Sequence, residues 1–169
     1  MKIKAIDTEY NDYKFRSRTE ARWAVFFDSL GWEYEYELEG FEFENGLKYL
    51  PDFLVKIPDS DGVVWDYYVE VKPQGDLSEY ETRKIEALSK HTNVLVLKGI
   101  PDKKKTYLLC AHYEDSKVFW CPISFDDRKF GVYFGEMYSE YADTYSKSML
   151  QAFKNARQAR FEHGETPTT

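Results

Sequence analysis

The chain has 169 residues, of which 43% are hydrophobic, 31% charged and 18% aromatic, and its formal net charge is −7. That length suits one domain with a core large enough to fold without disulfides or a structural metal, and is short for two. No apolar run reaches the roughly 20 residues of a membrane helix, so no membrane partner is expected, and the acidic balance argues against an indiscriminate polyanion binder.

The charge is nevertheless sorted. Residues 33–44 hold six glutamates and no base, whereas 144–161 hold Lys147, Lys154, Arg157 and Arg160 and no acid. Lys14, Arg16, Arg18 and Arg22 cluster near the start, so one side can still face phosphates. The opening MKIKAIDTEY lacks the apolar stretch of a secretory signal. Two cysteines, Cys110 and Cys121, make neither a disulfide framework nor a zinc knuckle, and a reducing cytoplasm is the expected compartment.

In chain order, Ser17 with Glu20 three residues later reads as a helix start, Trp23, Phe26, Phe27 and Leu30 as its apolar stripe, and Gly31 as its stop. Trp32, Tyr34, Tyr36 and Leu38 then alternate with Glu33, Glu35 and Glu37, the pattern of a strand with one wet face, with Phe41 and Phe43 extending or following it. Asn45-Gly46 predicts a hairpin leading into a strand over 47–57, in which Pro51 implies a bulge or an unpaired amide. The turn 59–62 feeds a strand over 63–72. Asp76 or Ser78 caps a helix, with Glu79 and Glu81 at the matching capping-box positions and Ile85 and Leu88 inward, and Val94 to Lys98 is a buried strand, which together predict a right-handed parallel crossover. Residues 106–112 and 117–121 read as a hairpin about Asp115-Ser116, which sets Cys110 opposite Cys121 as free thiols. A long helix over 135–162, with Met149, Leu150, Phe153 and Ala156 inward, precedes a disordered tail from 164. One domain spans 1–169, with a core at about 15–98 and a C-terminal elaboration at about 104–162.

Strand parity places Glu70 and Lys72 on the same face of the strand 63–72, together with Asp66 and Tyr68. Asp52 follows Pro51 on the neighbouring strand, where a bend can aim it at Glu70, and Glu20 lies on the inward stripe of the first helix. A carboxylate aimed inward needs a cation or an altered pKa. Hard divalent cations, Mg²⁺ or Mn²⁺, take oxygen ligands of the kind that Asp52, Glu70 and the Val71 backbone carbonyl offer, with Glu20 joining directly or through water. Lys72 then suits the attacking water and the charge building on a scissile phosphate.

Pro51-Asp52, seventeen residues, and Glu70-Val71-Lys72 resemble the motif of the PD-(D/E)XK, restriction-endonuclease-like nuclease superfamily. The resemblance implies an α/β core of helix, three-strand meander, helix and parallel strand, here followed by a C-terminal hairpin and long helix. It also implies that Glu20, within RSRTEARW, is the acidic residue of the first core helix. The segments from Phe15 to Phe27, GFEF…YLPDF and the ending ARFEHGE are similar to those of small phage and bacterial nuclease-like proteins. The implied activity is metal-dependent hydrolysis of DNA to 5′-phosphate and 3′-hydroxyl ends, with Glu20, Asp52, Glu70 and Lys72 catalytic. Arg16, Arg18, Arg22, Lys84, Lys154, Arg157 and Arg160 are the candidate contacts to DNA, and a homodimer is left open.

A purely structural account exists for each feature. Glu20 can close a capping box, Glu70 and Lys72 can form a solvated strand face, and the basic C-terminal helix can be a solvated surface. The rival functions are a non-catalytic DNA- or protein-binding module that keeps the fold, and an RNA-directed nuclease.

Overall fold

A computed structural model describes residues 7–59, 61–103, 108–114, 117–126, 131–134 and 145–161. Strands β1 (Thr8–Tyr10) and β2 (Tyr13–Phe15) form a hairpin that the sequence pattern does not announce. Its turn puts Asn11 and Asp12 at φ 49° and 63°, a region that Asn and Asp tolerate better than most residues. Helix α1 spans Arg18–Leu30, as its end signals predict. The Ser17 hydroxyl accepts the Glu20 N–H, and Gly31 at φ 68° closes the helix on the carbonyls of Phe27 and Asp28.

The next stretch departs from expectation. The strand predicted over 32–38 is only β3 (Tyr34–Tyr36), because Glu37 turns to φ 48° and ends it; Leu38 is exposed. The single strand predicted over 47–57 is two strands in different sheets. β4 (Phe41–Glu42) and β5 (Lys48–Tyr49) make a separate small hairpin about Asn45-Gly46, with Gly46 at φ 77°, and β6 (Phe53–Pro58) begins only after Pro51. Proline has no N–H to give a ladder, and the chain breaks there.

β7 (Val64–Lys72) pairs antiparallel with β6 and parallel with β8 (Asn93–Lys98), and α2 (Glu79–Ser89) makes the crossover. Ser78, not Asp76, is the cap of α2, and the capping box with Glu81 is complete; Asp76 pairs instead with Lys98 at 3.0 Å. β9 (Leu108–Glu114) and β10 (Lys117–Asp126) form the expected hairpin in a register that sets Cys110 opposite Cys121, and β11 (Gly131–Phe134) follows. Among the described residues the main sheet runs β11-β10-β9-β8-β7-β6-β3.

Helix α3 spans Lys147–Gln158, shorter than the helix expected over 135–162. Ser146 caps its start and Ala159 leaves helical geometry, so Arg160 lies beyond it; residues 135–144 and the tail lie outside the described residues. Met149, Ala152, Phe153 and Ala156 are buried, whereas Leu150 is only half-buried.

Strand parity sorts two cores. Phe53, Val55, Val69, Val71, Leu95 and Leu97 meet Trp23, Phe26 and Phe27 of α1 and Phe153 of α3 on one face. Val94 and Val96 meet Ile85 and Leu88 of α2 and Tyr49 of β5 on the other. The result is a mixed α/β fold with a sheet between helices. No helix among the described residues is long and apolar enough to cross a membrane.

Candidate active site

Asp52, just before β6, lies beside Glu20 of α1 and Glu70 of β7, whereas Lys72 is engaged with Glu81 of α2. The Pro51 break allows Asp52 to turn inward, and it is 4% exposed. Its main chain remains in the sheet, since its N–H donates to the Val69 carbonyl and its carbonyl accepts the Glu37 N–H. Its side chain is fully engaged: Oδ2 accepts the Val71 N–H and Oδ1 accepts Arg16 Nη2, both at 2.7 Å. Burial, then the charges of Glu70 and Glu20, push Asp52 up to about 8, against the Val71 N–H and Arg16.

Glu20 is likewise buried, at 6% exposed. Its Oε1 accepts the Ser17 hydroxyl at 2.7 Å, and its Oε2 accepts the Tyr36 hydroxyl at 2.6 Å and the Arg16 N–H at 3.1 Å. It takes the Arg16 N–H and the Ser17 hydroxyl rather than the Ser17 N–H, so the reciprocal capping box is not closed at α1, and its charge bears on Asp52 instead. Burial and the bond to Glu20 raise the Tyr36 hydroxyl, which stays a neutral donor.

Glu70 and Lys72 point to the α2 face of the sheet, as parity predicts, and take partners from what covers it. Tyr49 donates its hydroxyl to Glu70 Oε2 at 2.9 Å. Lys84 of α2 lies over the Tyr49 ring, 4.9 Å from its centroid, and also faces Tyr80. Glu70 is raised chiefly by burial, opposed by Tyr49, Lys84 and Arg16. Lys72 Nζ donates to Glu81 Oε1 at 2.6 Å, while Glu81 Oε2 accepts the Ser78 N–H. Burial opposes ionisation of Glu81, but Lys72 and Ser78 outweigh it and hold the carboxyl down at about 2.

Glu20, Asp52 and Glu70 are thus electrostatic neighbours, yet among the described residues no three Asp, Glu, His or Cys side chains converge as a metal-binding group. Arg16 lies on Asp52, and Glu20 is turned to Tyr36 and Ser17. The donor chemistry still fits a hard divalent cation. Asp52 and Glu70 are oxygen donors in a confined place, both raised chiefly by burial, and a bound divalent cation would offset that burial.

The basic candidates do not all gather at the acidic group. Arg16 belongs to the site, with Nε on Glu37 Oε1 at 2.8 Å. Arg18 is half-buried at the start of α1, and Arg22 donates to the Ala159 carbonyl. Lys154, Arg157 and Arg160 are exposed around the end of α3, and Arg157 pairs with Asp102. Sequence reasoning missed Tyr36, Glu37 and Tyr49 and read Glu81 only as a cap, because each acts through a partner remote in sequence.

No curated protein and no solved structure matches the chain. A family model does, over a segment that includes Asp52, Glu70, Lys72 and α2 and begins just after Arg16 and Glu20. Residues 23–94 match the TnsA-like endonuclease N-terminal domain, which belongs to the restriction-endonuclease-like PD-(D/E)XK nuclease superfamily.

Proposed function

We propose that the protein is a divalent-metal-dependent deoxyribonuclease whose core is the restriction-endonuclease-like unit from α1 through β8. Residues 1–169 are read as one domain acting on bacterial or phage DNA in the cytoplasm. The observation that carries the reading is Asp52, buried beside Glu70 and Glu20 within a segment similar to an endonuclease domain. Asp52, Glu70 and the Val71 backbone carbonyl would hold Mg²⁺ or Mn²⁺, with Glu20 joining directly or through water. When bound, such a cation polarises the phosphate and acidifies water.

The chain's own groups do the rest. Tyr49 fixes the Glu70 carboxylate, and Tyr36 and Ser17 fix Glu20. Lys72, on the same strand face as Glu70, presents Nζ hydrogens that orient the attacking water and offset charge on the scissile phosphate. Glu81 uses one of those donors and sets the direction of the rest. By resemblance, the products carry a 5′-phosphate and a 3′-hydroxyl.

The test is incubation with linear, circular, branched and single-stranded DNA, and with RNA, with and without Mn²⁺. Cleavage is expected only with the metal, and Lys72→Ala is expected to lose it while keeping the wild-type circular dichroism spectrum. Full activity in a folded Lys72→Ala protein removes Lys72 from the mechanism.

The ion pairs on Asp52 and Lys72 favour a second reading, a binding module whose polar site is internally satisfied. Thermal melting separates the two. At free Mn²⁺ about a hundred times its dissociation constant, linkage adds roughly 2.7 kcal/mol, or roughly 5–10 °C for this size. No shift at millimolar Mn²⁺, with no cleavage, supports the module.

A further inference from the structure

Arg16 joins the acidic groups from the rim of the site. Its main-chain N–H donates to Glu20 Oε2 and to the Tyr36 hydroxyl oxygen, so its backbone is held in place. Its guanidinium divides between two carboxylates: Nη2 meets Asp52 Oδ1 at 2.7 Å and Nε meets Glu37 Oε1 at 2.8 Å. The two acids differ sharply in setting. The Asp52 side chain is 5% exposed, that of Glu37 29%, and that of Arg16 itself 59%.

These facts constrain how anything positive reaches Asp52. Oδ2 is committed to the Val71 N–H, which belongs to a strand inside the sheet. Oδ1 is the oxygen turned toward the rim, and the guanidinium occupies it. Two cations cannot share that oxygen at contact distance without strong repulsion. The Arg16 side chain, more than half exposed, loses little packing if it moves, and Glu37 offers a pivot. Once off Asp52, its Nη hydrogens form part of the planar fork that suits a phosphate.

We propose that Arg16 is a displaceable counter-ion: it holds Asp52 in the metal-free protein, yields Oδ1 to an entering divalent cation, and turns about Glu37 to a substrate phosphate. The exchange couples metal entry to substrate capture through one side chain. This inference rests on the metal-dependent nuclease reading and specifies how its site is filled.

The experiment measures Mn²⁺ binding by calorimetry for wild type, R16M and R16K, with melting in EDTA and affinity for a phosphorothioate DNA that resists cleavage. R16M removes the competitor at the cost of an unpaired carboxylate. It is expected to bind Mn²⁺ roughly tenfold more tightly, on the scale of one charge-assisted hydrogen bond. It should also melt lower in EDTA, gain more from Mn²⁺ than wild type, and bind the DNA more weakly. R16K keeps the charge without the fork and should fall between the two; if R16M does not fold, R16K carries the test. Unchanged or weaker Mn²⁺ binding in both variants overturns the proposal, as does absence of Mn²⁺ binding in every variant. Tighter metal binding with unchanged DNA affinity removes the phosphate step. Tighter metal binding with no cleavage by wild type leaves the counter-ion standing and sinks the nuclease reading, whereas cleavage by wild type with unaltered Mn²⁺ affinity in the variants does the reverse.

Discussion

Burial and the charges of Glu70 and Glu20 raise Asp52 well above the 3.8 of an ordinary aspartate, and Glu70 is raised with it, so the two buried acids titrate as a pair beside Arg16. Above the unfolded value the folded pair still holds a proton that the unfolded chain has released, so stability falls as pH rises until the pair has ionised. In EDTA the melting temperature should therefore decline from pH 5 to pH 8, and Asp52→Asn, which mimics the protonated acid, should flatten the decline and lose cleavage. Saturating Mn²⁺ should reverse the slope in wild type, since a cation replaces the proton. A wild-type slope that Asp52→Asn leaves intact would place the proton elsewhere. Glu81 acts in the opposite sense: its lowered carboxyl adds stability above about 4.5 that is lost as pH falls toward 2. Where Asp52, Glu70 and Lys72 lie on the fold was legible in the sequence because strand parity and a proline are local facts, and Glu20 because a helix start is one too. Their partners were not. Arg16 meets Asp52 across 36 positions, and Tyr49 meets Glu70 across 21, and no periodicity encodes such pairs.

Helix ends were equally legible, since a cap is completed within four residues: Ser17, Gly31, Ser78 and Glu81 all act where the sequence places them. The excursion from 38 to 50 was not. The apolar alternation passes from Tyr49 to Phe53 without a change of parity, so nothing local reports that the chain changes sheets at Pro51. The consequence for α2 is specific, because Glu81 closes the capping box with one oxygen and holds Lys72 with the other. Ser78→Ala should cost about 1 kcal/mol of stability and leave turnover near wild type. Glu81→Gln keeps an acceptor for the Ser78 N–H but weakens the hold on Lys72, and should lower kcat with little change in KM. Equal effects of the two substitutions on kcat would reduce Glu81 to a cap.

The whole molecule is joined by α1 and α3, which come from opposite ends of the chain and pack together on one sheet face. Phe153 of α3 is buried against Phe26 of α1, ring centroids 4.8 Å apart. Phe153→Ala should cost about 3–5 kcal/mol, read as a fall of roughly 10 °C or more in melting temperature. A change of only a degree or two would show that α3 contributes little to the core. The order β3, β6, β7, β8, β9, β10, β11 across the main sheet is also the order of synthesis. Each strand therefore has its neighbour waiting when it arrives, and the sheet can grow by successive short-range additions. The pairing of α1 with α3 closes the longest loop and belongs to the end of the process. In pulsed hydrogen exchange during refolding, amides of β6–β8 should be protected before those of α3, so the acidic site is framed while the last helix is still undocked.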